Sequence, residues 1–552
     1  MFRTGYRFFR IALCLVVPWG ALNAGSLVVE QQGFQVPVAT DLSPGVALDW
    51  PLIERFYQTQ QHRFVWHEEE QLNQRGQILF DWLASSAQEG LNPQDYHVDR
   101  LRYLADSVQP GHRFLREILL TEGYFRLAMD LRRGRYDPQT VDPLWLLPAN
   151  RFDPLDLLVT ALQRDDLPGL LATLRPKSEA YRRLAEALNH YQAIRIYGGW
   201  RPLKGEQTLR PGDRHGDVAA LRERLAAELR RPREPVADPQ YFDQSLAASL
   251  RRYQRRLGLQ DDGILGRETR EALNVSVETR IAQIRANLER WRWLPNELES
   301  RYLLVNTAGF EIVLMDQGRA VFHRRTVNGR QERQTPSFVS QVTHLVFNPQ
   351  WTVPRSIAVK DMLPKQQADR DYLRDKRIRV YERSGQAWRE VDSSEIDWLQ
   401  YHSENFPFVL RQDAGEGNSL GRIKFHMPNR HAIYLHDTPA RGLFRRLNRA
   451  FSSGCVRVES ADRLAHLLMQ GQEVPLSLSV ERFLSSEITR TASLTEPVPV
   501  YLAYFTSWVD ESGQVHFRPD IYHRDMHLML AMGEGMGRLT AGRVPGMESA
   551  SL

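Results

Sequence analysis

Cysteine is nearly absent from this chain of 552 residues, which holds two, Cys14 and Cys455. Two cannot build the disulfide framework of a small stapled domain. Long apolar runs are also missing. The longest candidate, Ile11 to Ala21, is about eleven residues against the roughly 20 that cross a bilayer. It follows Arg3, Arg7 and Arg10 and precedes Leu22-Asn23-Ala24, a small-residue cleavage region. Residues 1–24 therefore read as a signal peptide, with an uncleaved anchor as the other reading. No second run of membrane length follows, so no stable transmembrane segment is expected after cleavage. An excess of one charge is lacking too, because the formal charge of +5 falls to +2 once those three arginines leave. The remaining basic residues alternate with acids, as in Arg222-Glu223-Arg224, which argues for solvated helix faces and against nucleic-acid binding. With 42% hydrophobic and 25% charged residues, neither general disorder nor a polytopic membrane protein is indicated.

What is present suggests several domains, since one hydrophobic core does not serve so long a chain. The fold class expected is multidomain α+β. Residues 25–205 form a helical scaffold, on apolar spacings of three and four residues such as Phe114, Ile118, Leu119, Tyr124, Leu127 and Leu131. The run His67-Glu68-Glu69-Glu70-Gln71 starts like a zinc-protease motif but has Gln where the second His belongs. Residues 208–275 form a small three-helix module with Gly212, Gly216, Gly263 and Gly266 at its turns, and 276–300 a connecting helix. From Tyr302 the pattern turns to short β-rich runs, giving a mainly-β domain over 301–525. Within it a charged, partly helical insertion at about 355–420 has the character of a lid. Residues 526–552 read as a flexible tail.

Removal of Cys14 with the signal segment leaves one thiol in an oxidising compartment, either buried by accident or kept for its chemistry. Its surroundings bear on the choice. In Ser452-Ser453-Gly454-Cys455-Val456-Arg457, 19 positions after His436, His436 and Arg457 supply the base and the positive charge that a cysteine nucleophile needs. Gly454 allows a sharp turn, so amide groups from Ser453 to Cys455 can face a developing oxyanion. A phosphatase loop would need Arg six positions after the sulfur, where Ala461 stands. Only a side-chain orienter for the imidazole is missing. The duller readings are a buried cysteine, a structural His, a turn at Asp437-Thr438-Pro439 and an Arg457–Glu459 pair.

The His436-Asp437 pair and the Ser-x-Gly-Cys-x-Arg loop resemble the active-site motif of the L,D-transpeptidase family, with its YkuD-type catalytic domain. "FNPQWTVP" (Phe347 to Pro354), "NSLGRIKFHMPN" (Asn418 to Asn429), "NLERWRWLP" and "SWVDESGQVHFRPDIY" are similar to its long multidomain members. The module at 208–275 resembles a peptidoglycan-binding domain, and the likeness extends over most of residues 50–525. Ser453 departs from many smaller members, which carry His there. The resemblance implies Cys455 as nucleophile, His436 as base, and a main-chain carbonyl, that of Asp437, as orienter. Ser453 and Gly454 join the oxyanion and orienting set, and Arg457, Ser452, Asn348 and Trp351 the substrate-binding set. It further implies a periplasmic enzyme that makes 3→3 cross-links between diaminopimelate residues of peptidoglycan through a thioester, releasing D-alanine, with neither metal nor cofactor and with carbapenems acylating the same sulfur. Its partners would be stem peptides, glycan and other cell-wall synthases. Open alternatives are a lipoprotein lysine or water as acceptor, or a catalytically silent wall-binding scaffold.

Overall fold

A computed structural model describes residues 48–107, 109, 111–229, 236–470 and 479–533. The expected signal segment lies outside these residues. The N-terminal part is helical: α1 (Trp50–Thr59), α2 (Gln74–Ala84), α3 (Val98–Leu104), α4 (His112–Arg133), α5 (Pro138–Val141), α6 (Pro154–Gln163), α7 (Leu167–Thr173) and α8 (Glu179–Ile196). A two-strand hairpin, β1 (His67–Glu68) with β2 (Gln71–Leu72), holds the run that began like a zinc motif. His67 there is spent on an ion pair of 2.6 Å with Glu117.

The module over 208–275 contains α9 (Gly216–Glu228), α10 (Gln244–Leu257) and α11 (Arg267–Leu273). Asp243 caps α10 by accepting the Leu246 N–H at 2.8 Å, and Gly258 closes it in the left-handed conformation, the residue types that end helices at low cost. The connecting helix is α12 (Val277–Arg292), shorter than the expected 276–300. The module does not stand apart. Its Leu221, Leu250 and Tyr253 share one apolar core with Tyr191 of α8, Ile284 and Trp291 of α12, and Phe505 and Phe517 near the C-terminus.

The C-terminal half is built on a sheet of strands β3 (Arg301–Asn306), β4 (Glu311–Asp316), β5 (Arg319–Gly329), β6 (Phe338–Phe347), β11 (Ile423–His426), β12 (Leu435–His436), β13 (Ala450–Ser452), β14 (Val456–Val458) and β15 (Arg490–Ala503). Their order is β13-β5-β14-β12-β11-β6-β15-β3-β4, and β4 also pairs with β5, so the row closes on itself. Closure removes free edges and encloses Leu303, Leu345, Phe425, Leu435 and Val456 in the core. The helix Ala461–Met469 packs Leu464 and Leu468 against that core.

Between β6 and β11 the chain leaves to form an inserted unit with its own sheet, in the order β7 (Trp351–Thr352), β10 (Val409–Gln412), β8 (Ile378–Ser384) and β9 (Ala387–Val391). The insertion thus starts a few residues before the expected 355 and its sheet ends at 412. It has a separate core around Leu373, Val380, Trp398 and Phe408. A second hairpin, β16 (Ser507–Val509) with β17 (Val515–Phe517), precedes the helix Arg524–Ala531. That helix corrects the tail expected over 526–552. Leu528 and Met529 are buried in the shared core, and Asp525 pairs with Arg290 of α12. Residues 534–552 lie outside those described.

Candidate active site

The site is set by strands that run side by side. Lys424 of β11 is in register with His436 of β12, and His436 with Arg457 of β14. Partners in register point to the same face, so the three basic side chains form a row. The neighbouring row, Phe425, Leu435 and Val456, is fully buried on the other face. Alternation along β11 and β12 therefore decides which residues reach the site.

His436 is fixed by what surrounds Asp437. Gly421 adopts φ +62°, and a Cβ there would lie 2.5 Å from Asp437 Oδ2 and 2.6 Å from its carbonyl carbon; only glycine passes at this point. The Arg422 N–H donates to Asp437 Oδ2 at 2.9 Å, and the Asp437 N–H to the Ile423 carbonyl at 2.8 Å. Held this way, the Asp437 carbonyl meets His436 Nδ1 at 2.5 Å. A carbonyl can only accept, so Nδ1 carries the proton and Nε2 presents its lone pair. Burial, with Arg457 and Lys424 nearby, pushes the imidazole down to about 3, against the carbonyls of Asp437 and Leu420, which favour the charged ring. The ring is neutral at neutral pH.

Cys455 sits where β13 and β14, both paired with β5, are joined around its end. Gly454 makes the turn with φ +116°, a conformation other residues adopt only with strain. The buried Ser452 braces the loop, donating from Oγ to the Cys455 carbonyl at 2.5 Å and accepting the Gly454 N–H at 3.1 Å. Thr335 Oγ1 donates to the Gly454 carbonyl at 2.8 Å and accepts the Gly329 N–H at 2.9 Å. Arg333 donates from Nη1 to Ser453 Oγ at 3.0 Å and ion-pairs with Asp361 of the inserted unit, which also holds Arg330 at 3.0 Å. The loop is thus tied to β5, to the turn after it and to the insertion.

The Cys455 thiol is free and half-buried, with its sulfur 3.7 Å from the Ala432 carbonyl. Burial raises its pKa, while the Tyr434 amide, Lys424 and Arg457 pull the other way without cancelling the rise. The resting pair is a thiol beside a neutral imidazole.

The structure gathers Ser452, Ser453, Gly454, Cys455, His436, Asp437 and Arg457 in one place. Four expectations are corrected. The Gly454 N–H is already given to Ser452 Oγ, so Ser453 and Cys455 are the remaining oxyanion candidates. Ser452 is spent inside the loop and does not face a substrate. Asn348 is buried, donating to the Phe483 and Ile488 carbonyls at 2.9 and 3.3 Å and accepting from Arg422 at 3.4 Å, which makes it a fastener between the segment after β6, the one before β11 and the helix Val480–Ser485. Trp351 packs against the core of the inserted unit, where β7 pairs with β10. Two residues of the site were not singled out in the sequence, Lys424 and Tyr434. Lys424 Nζ lies 3.8 Å from the centroid of the Tyr434 ring. The signal available was alternation in Arg422-Ile423-Lys424-Phe425-His426, whose polar phase is that of His436.

Residues 300–476 match the L,D-transpeptidase catalytic domain of YkuD type, 214–273 a peptidoglycan binding domain, and 51–188 a scaffold domain. A Haemophilus influenzae protein named as an L,D-transpeptidase is 37% identical over 257 residues, 46% of this chain and 51% of the relative. The chain thus spans about half the length of this curated relative. Among solved structures, an L,D-transpeptidase fragment of Xylanimonas cellulosilytica is 13% identical over 54% of this chain and 99% of its own, with a TM-score of 0.18. One from Stackebrandtia nassauensis is 11% identical over 54% and 97%, with a TM-score of 0.22. No helix among the described residues is long and apolar enough to cross a membrane.

Proposed function

Because this chain carries an L,D-transpeptidase catalytic domain behind a scaffold domain and a peptidoglycan binding domain, we propose that it cross-links peptidoglycan stem peptides in the periplasm through an acyl-enzyme on Cys455. The observation that carries this reading is the His436 ring, held with Nδ1–H on the Asp437 carbonyl so that Nε2 is the accepting nitrogen, in a strand adjoining the one that Cys455 leads into.

In the first half-reaction the sulfur attacks the carbonyl at the L-centre of diaminopimelate while His436 Nε2 takes the thiol proton. The S–C bond forms, the C–N bond to D-alanine breaks, and His436 returns the proton to the departing amine. In the second, the D-centre amine of another stem attacks the thioester. The C–N bond forms, the C–S bond breaks, and the amine proton passes by way of His436 to the thiolate. The Ser453 and Cys455 amides serve the oxyanion. Burial keeps His436 in its accepting form, and the Asp437 carbonyl supports the imidazolium that forms transiently. The same sulfur would take a carbapenem acyl group.

Incubating the protein with disaccharide-tetrapeptide and identifying products by mass spectrometry tests this. Dimers that have lost one D-alanine are expected. Tripeptide monomer alone would assign water as the acceptor, and an adduct formed only with a lysine-bearing acceptor peptide would assign anchoring.

A further inference from the structure

Among the described residues, Lys424 and Arg457 are two cations without a carboxylate partner. They stand on either side of His436 in the same row of the sheet. Among the described residues, the group that favours the charged form of either one is the Cys455 thiol, and no acid does so. Arg457 Nε is buried with no hydrogen-bond partner, and Lys424 rests its ammonium on the Tyr434 ring. Other buried arginines meet either a carboxylate, as Arg224 meets Glu228, Arg292 Glu289 and Arg290 Asp525, or backbone carbonyls, as Arg256 meets that of Val515. An unmatched pair of cations flanking His436 is costly to fold. A ligand that brings the missing charge would complete it.

From this we infer that Lys424, with Arg457 across His436, is the seat for a carboxylate of the acyl donor next to the scissile bond. The inference rests on the reading that the donor is a stem peptide. Such a donor carries two carboxylates near that bond, one at the D-centre of diaminopimelate and one on the terminal D-alanine. Strands about 5 Å apart place the two cations about 10 Å apart at their backbones, and long side chains from both can converge on one carboxylate over His436. Seating an anion there would also relieve the repulsion that Lys424 and Arg457 exert on the imidazolium. A carboxamide in its place would leave both cations unmatched, so the site selects free acids.

The test is binding to the full chain carrying Cys455→Ala, which separates recognition from chemistry. Three tetrapeptide donors are titrated by calorimetry: the free acid, the diaminopimelate amide and the terminal D-alanine amide. One of the amides is expected to bind at least about tenfold more weakly than the free acid, as the loss of a charge-assisted contact predicts, and its identity names the carboxylate. In the double variant with Lys424→Met the free acid should weaken to the level of that amide. Lys424→Arg should restore part of the difference, which a merely structural role for Lys424 would not do. Equal binding of all three donors, or discrimination that survives Lys424→Met, overturns the proposal. Turnover with Cys455 intact is followed separately. Discriminating binding without turnover would remove the transpeptidase reading and keep the seat, and turnover without discrimination would do the reverse.

Discussion

A thiol raised by burial beside an imidazole held at about 3 predicts that Cys455 is not a standing thiolate. Its alkylation by iodoacetamide should climb with pH and level off only above the usual thiol range, whereas a plateau by pH 7 would indicate a preformed ion pair. His436→Ala should lower kcat/KM by about 10²- to 10⁴-fold, the span of a general base, with far-UV circular dichroism unchanged. His436 also makes stability depend on pH. Its folded pKa lies below the ordinary value of 6.5, so the unfolded chain takes the proton first. The neutral ring's contribution is complete above about pH 6.5 and is lost as pH falls towards 3, at up to about 1.4 kcal/mol per pH unit. The drop in Tm between pH 7 and 4.5 should therefore be smaller in His436→Gln than in the parent. Cys455 and His436 were legible because a short loop and a strand end hold them in compact motifs. Lys424 was not, because a lysine in a strand declares its role only once register places it beside His436.

At the scale of elements, the turn at Gly421 and the insertion each support the site from a distance. Gly421→Ala would force a side chain into Asp437 at φ +62°, with strain of about 1–3 kcal/mol. It should lower activity more than stability, because the carbonyl that orients His436 moves, and comparing Tm with kcat/KM checks this. Asp361 joins the inserted unit to Arg330 and Arg333, and Arg333 reaches Ser453. Asp361→Ala should speed proteolytic cleavage within 351–412 and slow acylation together, while an effect on only one of them would uncouple insertion from loop. The insertion was readable as a charged interruption between β-rich runs. Strand β15 is hard to read from its start at Arg490, because Pro497 and Pro499 suggest a break. The sheet accepts them at a register shift between Ser493 and Val498.

In the whole molecule the module over 208–275 is packed into the same body as α8, α12 and the C-terminal hairpin. Tyr191 of α8 packs edge-on against Phe517 of β17 at 5.6 Å, Trp291 of α12 stacks on Phe505 at 4.7 Å, and Arg256 of α10 donates to the Val515 carbonyl at 2.7 Å. Phe517→Ala, which opens this shared core, should cost about 3–5 kcal/mol and expose the module and the catalytic sheet to protease together. Module digestion with the sheet left intact would show independent units. Local spacing marks helical segments such as Phe114 to Leu131 and the turn to β-rich runs from Tyr302, but partners such as Tyr191 and Phe517 lie too far apart in sequence for spacing to join them. The site is built around Cys455 as the carrier of the acyl group. Exposure of the protein to tetrapeptide donor or to a carbapenem, rapid acid quench and peptide mapping by mass spectrometry tests it most directly. The account predicts an acyl adduct on the peptide containing Cys455, absent from Cys455→Ala; an adduct on any other residue, or products formed by Cys455→Ala, would contradict it.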